Sequence, residues 1–301
     1  MISKSRYRLA GVLATVLLGL GLPASARNTA SFQPLHTPAT GEQHPGKFVW
    51  ADLFTTDPVA ATKFYTGLFG WTANIIDQQG KAYTVFSNGS HPVAGLAPRR
   101  TANLKRPSRW ISYIAVSDIK ATLDRVTAGG GLVRAPARDF PHRGFQAIIA
   151  DPEGSPVGLL QSGSGDSADG EAQTGDWNWF QLYGKAPKTV SAFYAGVFKY
   201  DVTPDTRTVR KGDYLLTTDN LPRGGVAPLP ERDDAQPGWI GVVRVEKMDE
   251  MLARVTALGG EVLLAPRAAA YESRFAIIAD STGGTIGLVE YVTTASLPSS
   301  P

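Results

Sequence analysis

Few side chains in this sequence of 301 residues have a claim to chemistry. Asp52, in the run FVWADLF, has the strongest: on a strand it shares a face with Trp50, about 7 Å away. Desolvation in such an aromatic wall raises a carboxyl pKa and suits it to proton transfer, whereas a hydrogen bond from arginine or backbone makes the same acid structural. The residue types leave both readings open. Of the four histidines, His36 and His44 fall in a polar, proline-containing stretch, and His91 (NGSHPVAG) and His142 (FPHRGF) each stand alone in a loop. Cysteine is absent, which excludes disulfides, thiolate zinc sites and a cysteine nucleophile. There is no G-x-S-x-G, phosphate loop or H-E-x-x-H, so nucleophilic hydrolysis, nucleotide use and zinc proteolysis have no support.

The elements that must position these residues come in copies. FYTGLF at 64–69 matches FYAGVF at 193–198, an offset of 129. The same offset joins Trp50 to Trp179, Trp110 to Trp239, Arg125 to Arg254 and the AIIAD ending at Asp151 to the AIIAD ending at Asp280. The chain is a tandem duplication of two blocks, 47–161 and 177–292. Each block divides again: an apolar run, a helix opened by a cap such as Asp57-Pro58 and closed at Gly70, then three short strands. The pattern strand, helix, three strands occurs four times.

The flanking segments read differently. Met1 to Arg8 is basic, Leu9 to Leu22 is apolar and Ala24-Ser25-Ala26 is a small-residue site, the three parts of a secretory signal peptide cleaved after Ala26. The apolar run is short for a membrane span, which needs about 20 residues. Cleavage removes Lys4, Arg6 and Arg8, which cancels the formal charge of +3 and leaves no long-range attraction to nucleic acid or anionic lipid. The expectation is an exported protein, periplasmic or extracellular in a bacterium, with no stable membrane insertion after cleavage. Residues 27–46 are expected to form a flexible leader, 162–176 (SGSGDSADGEAQTGD) a flexible linker and 293–301 a flexible tail.

The fourfold unit, with W-x-D-L-x-x-x-D-P at 50–58, FYTGLFGW at 64–71 and ADPEGSPVGLLQ at 150–161, resembles the glyoxalase, or vicinal oxygen chelate (VOC), superfamily. That superfamily includes bleomycin-resistance proteins and dioxygenases; the two-block chain looks like its tandem members. The resemblance implies an α+β fold of two VOC domains, each a pair of βαβββ modules curling into a cup-shaped mixed sheet with helices outside. It also implies a divalent metal held by a His on the first strand, a His or equivalent on the first strand of the second module, and a Glu on the last strand. Those positions carry Trp50, Ile111 or Ser112, and Gly158 in the first block, and Trp179, Ile240 or Gly241, and Gly287 in the second. None is His, Asp or Glu, so no metal site is expected and no other cofactor is implied.

In the implied cups, strand alternation puts Val49, Ala51 and Leu53 on the helix side and Phe48, Trp50, Asp52 and Phe54 inside. Phe180 and Leu182 then face the helices of the second block, and Trp177, Trp179, Gln181 and Tyr183 line its cup. Phe48, Trp50, Trp177, Trp179 and Tyr183 offer a stacking platform for a flat or apolar ligand, with Gly158 and Gly287 leaving space opposite. His91 and His142 are placed to meet across a cup mouth. Because Gln181 replaces Asp52 in the second block, no acid is common to both cups. The leading expectation is a small organic molecule bound in a cup without the usual metal. An enzyme with altered ligands or metal-free catalysis by Asp52, and an interaction module with solid cups, are the alternatives; ligand identity and oligomeric state stay open.

Overall fold

The computed structural model describes residues 32–78, 81–99, 107–208, 212–231, 235–270 and 272–291. The expected signal segment 1–26 with its cleavage after Ala26, the first residues of the leader and the tail 293–301 lie outside them. No helix among the described residues is long and apolar enough to cross a membrane.

The first block runs β1 (Phe48–Thr55), α1 (Pro58–Phe69), β2 (Thr72–Gln78), β3 (Lys81–Asn88), β4 (His91–Pro98), β5 (Arg109–Ala115), α2 (Ile119–Ala128), β6 (Leu132–Phe140), β7 (Gly144–Ala150) and β8 (Pro156–Ser162). The second runs β9 (Trp177–Gly184), α3 (Pro187–Phe198), β10 (Asp201–Pro204), β11 (Tyr214–Thr218), β12 (Leu221–Pro228), β13 (Gly238–Arg244), α4 (Met248–Ala257), β14 (Glu261–Ala269), β15 (Ser273–Ala279) and β16 (Thr285–Tyr291). Each block forms one eight-stranded mixed sheet, ordered β2-β3-β4-β1-β5-β8-β7-β6 and β10-β11-β12-β9-β13-β16-β15-β14. The two modules of a block join through their first strands, β1 to β5 and β9 to β13, both antiparallel.

Local chemistry sets the helices. Asp57 Oδ1 accepts the Ala60 N–H at 3.0 Å, Pro58 occupies the first turn, and Gly70 ends α1 at φ 73°, its N–H bonded to the Thr66 carbonyl. Between these ends Ala61, Phe64, Tyr65 and Leu68 recur at helical spacing and are buried.

The expected placement of the helices outside each cup holds, and it puts them inside the molecule. The helix-bearing faces of the two sheets pack against each other, α1 near α4 and α2 near α3. One apolar cluster joins Ile114, Val126 and Leu159 to Phe180, Phe193 and Leu216; another joins Leu53, Phe64 and Leu96 to Val243, Val255 and Ile278. Buried polar pairs cross this seam in duplicate. Tyr65 donates to Asp280 (2.7 Å) and Tyr194 to Asp151 (3.2 Å), while Trp110 and Trp239 donate to the two phenols at 2.8 and 2.7 Å. Arg125 Nε donates to the Val197 carbonyl at the end of α3, and Arg254 Nη1 to the Leu68 carbonyl at the end of α1.

The described part of the leader and the linker, expected from composition to be flexible, make hydrogen bonds to each other and to both blocks. Phe32 and Leu35 are buried, 7% and 4% exposed, and the Thr40 N–H donates to the Ser164 carbonyl at 2.9 Å. Asp169 takes hydrogen bonds from Arg223, and Asn88 Nδ2 donates to the Thr174 carbonyl at 2.9 Å. Small polar residues cannot supply an apolar core, but their short side chains and free backbone bind well to one another and to flanking charges.

Candidate functional site

Two β-bulges decide which side chains enter the cups. The β1–β5 register shifts between Phe48 and Trp50, and the β9–β13 register shifts between Trp177 and Trp179. An extra residue reverses the alternation beyond it. Phe48 therefore leaves the first cup for the seam, where it stacks on Phe180 at 4.2 Å, and Val49 packs on the cup side instead. Trp177 likewise sits in the seam, 5.3 Å from Trp110, with its indole N–H on the Val93 carbonyl. Phe48 and Trp177 are corrected from cup-lining to seam residues; Trp50, Asp52, Trp179, Gln181 and Tyr183 lie on the cup sides.

The first cup is filled. Asp52, 5% exposed, accepts from Trp50 Nε1 (2.8 Å) and from the Tyr83 hydroxyl (2.6 Å) through the same Oδ1. Tyr113 stands beside Trp50 on the neighbouring strand. Burial, and after it the charge of Asp52, pushes the phenols of Tyr83 and Tyr113 up, so both remain donors across ordinary pH. Gly95 faces Asp52 on β4, and a Cβ there would collide with Asp52 and the Tyr83 hydroxyl. Arg143, 1% exposed, lies over the Trp50 ring at 4.3 Å and the Phe32 ring at 5.2 Å. The arrangement anchors Asp52 as an acceptor beneath the leader.

The second cup is open. A cavity of about 380 Å³ is lined by Trp179, Gln181, Tyr183, Phe275 and Tyr291 with the charged Arg207 and Arg267. The Trp50–Asp52 contact is repeated as Trp179 Nε1 to Gln181 Oε1 at 3.1 Å, without the carboxylate. Asp205 pairs with Arg207, whose Nε and Nη2 each lie 2.7 Å from it; these hydrogen bonds hold its carboxyl below the usual range. Arg207 in turn lies over the Trp179 ring at 5.1 Å. Asn178 donates to the Tyr291 hydroxyl at 2.9 Å. The difference between the cups follows from side-chain volume at matching positions. Tyr113 and Leu160 of the first block become Val242 and Val289, both cavity-lining, in the second.

The positions that the resemblance assigns to a metal lie on three adjacent strands, but the residue beside the other two is Tyr113 rather than Ile111 or Ser112, and Val242 rather than Ile240 or Gly241, and the residues there do not fit a metal. Trp50 pairs with Tyr113 and Tyr113 with Gly158; Trp179 pairs with Val242 and Gly287 also with Val242. Ile111 and Ile240 share the cup face two residues away, and Ser112 and Gly241 oppose Ala51 and Phe180 on the helix side. An indole N–H already donating to Asp52, a single buried phenol and aliphatic side chains supply no converging donor set. The glycines do not open the space expected of them either. A Cβ at Gly158 would strike the Tyr113 ring, and one at Gly287 would lie 2.8 Å from Phe275 and 3.0 Å from Val242. Among the described residues no three His, Asp or Glu side chains converge elsewhere.

The histidines go to other tasks. His91 Nε2 is 2.9 Å from Asp176 Oδ1, His44 lies beside Glu42, the His36 N–H donates to Ser164, and His142 occupies the β6–β7 turn at φ 68°. Arg143, Tyr83, Tyr113, Arg207 and Phe275 were not singled out in the sequence. Comparison at the 129 offset contains the signal for two of them: Tyr113 falls opposite Val242, and Gln146 opposite Phe275.

Two cups built from paired βαβββ modules define a class. The chain belongs to the glyoxalase superfamily: residues 47–159 match the Glyoxalase/Bleomycin resistance protein/Dioxygenase superfamily. It is 32% identical over 262 residues to the "Putative glyoxylase CFP32" of Mycobacterium tuberculosis, covering 84% of this chain and 98% of that one. It is 31% identical over 234 residues to the "Anthracycline biosynthesis protein DauV" of Streptomyces sp. strain C5, covering 72% and 84%. Among solved structures, the Mn(II)-bound glyoxalase from Novosphingobium aromaticivorans shares the fold at TM-score 0.57 and 14% identity, covering 83% of this chain and 84% of that one.

Proposed function

We propose that the second cup binds a flat organic molecule and that it does so without the superfamily's usual metal. The carrying observation is the cavity of about 380 Å³, which falls within the range of small-molecule sites and joins aromatic walls to a few polar groups. Trp179 and Phe275 offer ring faces, while Asn178, Gln181, Arg207 and Arg267 offer polar contacts at the edges. The charges balance, two Arg against Asp205 and Asp213, which favours a neutral or zwitterionic ligand over a strongly charged one. The name of the DauV relative, for anthracycline biosynthesis, favours a polycyclic aromatic among flat molecules.

A hydroxylated anthraquinone titrated against the full chain tests this reading through quenching of indole fluorescence. Saturable binding weakened about tenfold or more by Trp179→Ala is the expected result. Absence of saturable binding, or equal affinity in the variant, counts against it. Elemental analysis before and after chelation tests the metal-free part, which a stoichiometric divalent ion in the native protein would end. We also read the protein as exported, on the basic, apolar and A-x-A segments at its start. N-terminal sequencing of the mature chain should begin at Arg27, and an intact Met1 on protein retained in the cytoplasm would contradict export.

A further inference from the structure

The first cup is occupied by the chain's own leader, and the fit is incomplete. Phe32 meets Tyr83 and Phe140 edge-on at 4.8 and 5.2 Å, and Leu35 is buried in the same cluster. The rest of the segment is held by the linker rather than by the cup. The His36 N–H donates to Ser164 Oγ (3.2 Å), the His44 N–H to Asp166 Oδ2 (2.8 Å), and the Asp166 N–H to the Glu42 carbonyl (2.9 Å). Two apolar side chains are thus what the cup itself grips.

Arg143 shows what this occupant fails to supply. The residue is 1% exposed, and its Nε and Nη1 have no hydrogen-bond partner among the described residues. Its guanidinium sits between the ring of Phe32 and that of Trp50. Buried guanidinium N–H groups without an acceptor suit an anionic oxygen, as of a carboxylate or sulfonate. Asp52, the nearby carboxylate, is already committed to Trp50 and Tyr83. The second block has no equivalent: Glu272 stands at the matching position.

We propose that Phe32 and Leu35 are an exchangeable, self-supplied occupant of the first cup, and that a small aromatic anion displaces them. Its ring takes the place of the Phe32 side chain and its anionic group accepts a hydrogen bond from Nε or Nη1 of Arg143. This site is separate from the second cup and does not depend on what binds there.

The probe is 8-anilinonaphthalene-1-sulfonate, an aromatic sulfonate, measured by equilibrium dialysis against the full chain. The variant F32A/L35A is expected to bind one more probe per chain than the unmodified protein. Adding R143Q is expected to weaken that extra site by about tenfold or more and leave the remaining stoichiometry unchanged. An unchanged stoichiometry in a variant with native near-UV circular dichroism overturns the proposal, as does an extra site indifferent to R143Q. Should F32A/L35A not fold, amide exchange in the unmodified chain decides. Excess probe should accelerate exchange at His36, next to Leu35, and unchanged protection there refutes displacement.

Discussion

Tyr65 and Asp280 are 215 residues apart in the chain and 2.7 Å apart in the structure, where the phenol donates to Oδ2 of the acid. The other oxygen of Asp280 accepts the N–H groups of Thr282 (2.6 Å) and Gly284 (3.0 Å), so one carboxylate both shapes its own turn and receives the opposite domain. Burial, and after it the charge of Asp280, pushes the Tyr65 phenol well up and keeps it a donor. Tyr194 and Asp151 repeat the pairing from the other side at 3.2 Å.

A double-mutant cycle should register this bond. Tyr65→Phe leaves a buried carboxylate lobe without its donor, and urea unfolding should show a loss of about 1–3 kcal/mol. Asp280→Asn and the combined variant should then reveal coupling above about 0.5 kcal/mol, whereas strict additivity would mean the contact carries no energy of its own.

Two glycines should respond oppositely to alanine. At Gly95 the added methyl meets Asp52 and Tyr83, and overpacking there should cost about 1–3 kcal/mol. At Gly196, inside α3 with nothing within 4 Å, alanine should stabilise by about 0.5–1 kcal/mol through helix propensity. Chemical denaturation of both variants checks the pair.

The ends of α1 and α3 offer a matched comparison. Gly70 closes α1 at φ 73°, and Lys199 closes α3 at φ 64° with a side chain that disfavours that region. Lys199→Gly should raise stability by about 0.5–1 kcal/mol, and a lower urea midpoint would show that the lysine has a role its geometry does not reveal.

Acid should loosen the linker. Partial burial alone would raise the Asp169 carboxyl, but hydrogen bonds from Arg223 and Lys47 outweigh it and hold the group at about 2 against an ordinary 3.8. A depressed folded-state value stabilises above the unfolded value and is lost as pH falls toward the folded one, so this contribution disappears between about pH 4 and pH 2. Asp151 and Asp166, which burial pushes up, act in the opposite sense, so Asp169→Asn is the proper comparison. The variant should unfold more readily than the native chain near neutrality, and the gap should close at low pH.

Much of the fold was legible because its signals are local. The cap at Asp57, the stop at Gly70 and the strand alternation each depend on a few neighbouring residues, and the 129 offset exposes the duplication. The cup contents were less legible because each bulge adds a single residue with no distinct composition. Phe48 and Trp177 were misplaced by that one step. The seam was hidden for a different reason: Tyr65 and Asp280 belong to separate motifs, and nothing in either indicates that its partner lies in the other block. Glycines at 158 and 287 suggested space, yet Tyr113, Phe275 and Val242 fill it from neighbouring strands.

Among the residues that the two blocks still share, Tyr65 and Tyr194, Arg125 and Arg254, and Asp151 and Asp280 bond across the seam, and Trp110 and Trp239 donate to the two phenols from within their own blocks. Each half therefore completes the other's buried bonds and covers the other's apolar face. Neither half has a finished interior by itself, and separation would strand a phenol, an acid and a guanidinium on each side. The tether between them holds the halves at high mutual concentration, so they should melt in one step, like a dimer whose subunits cannot drift apart.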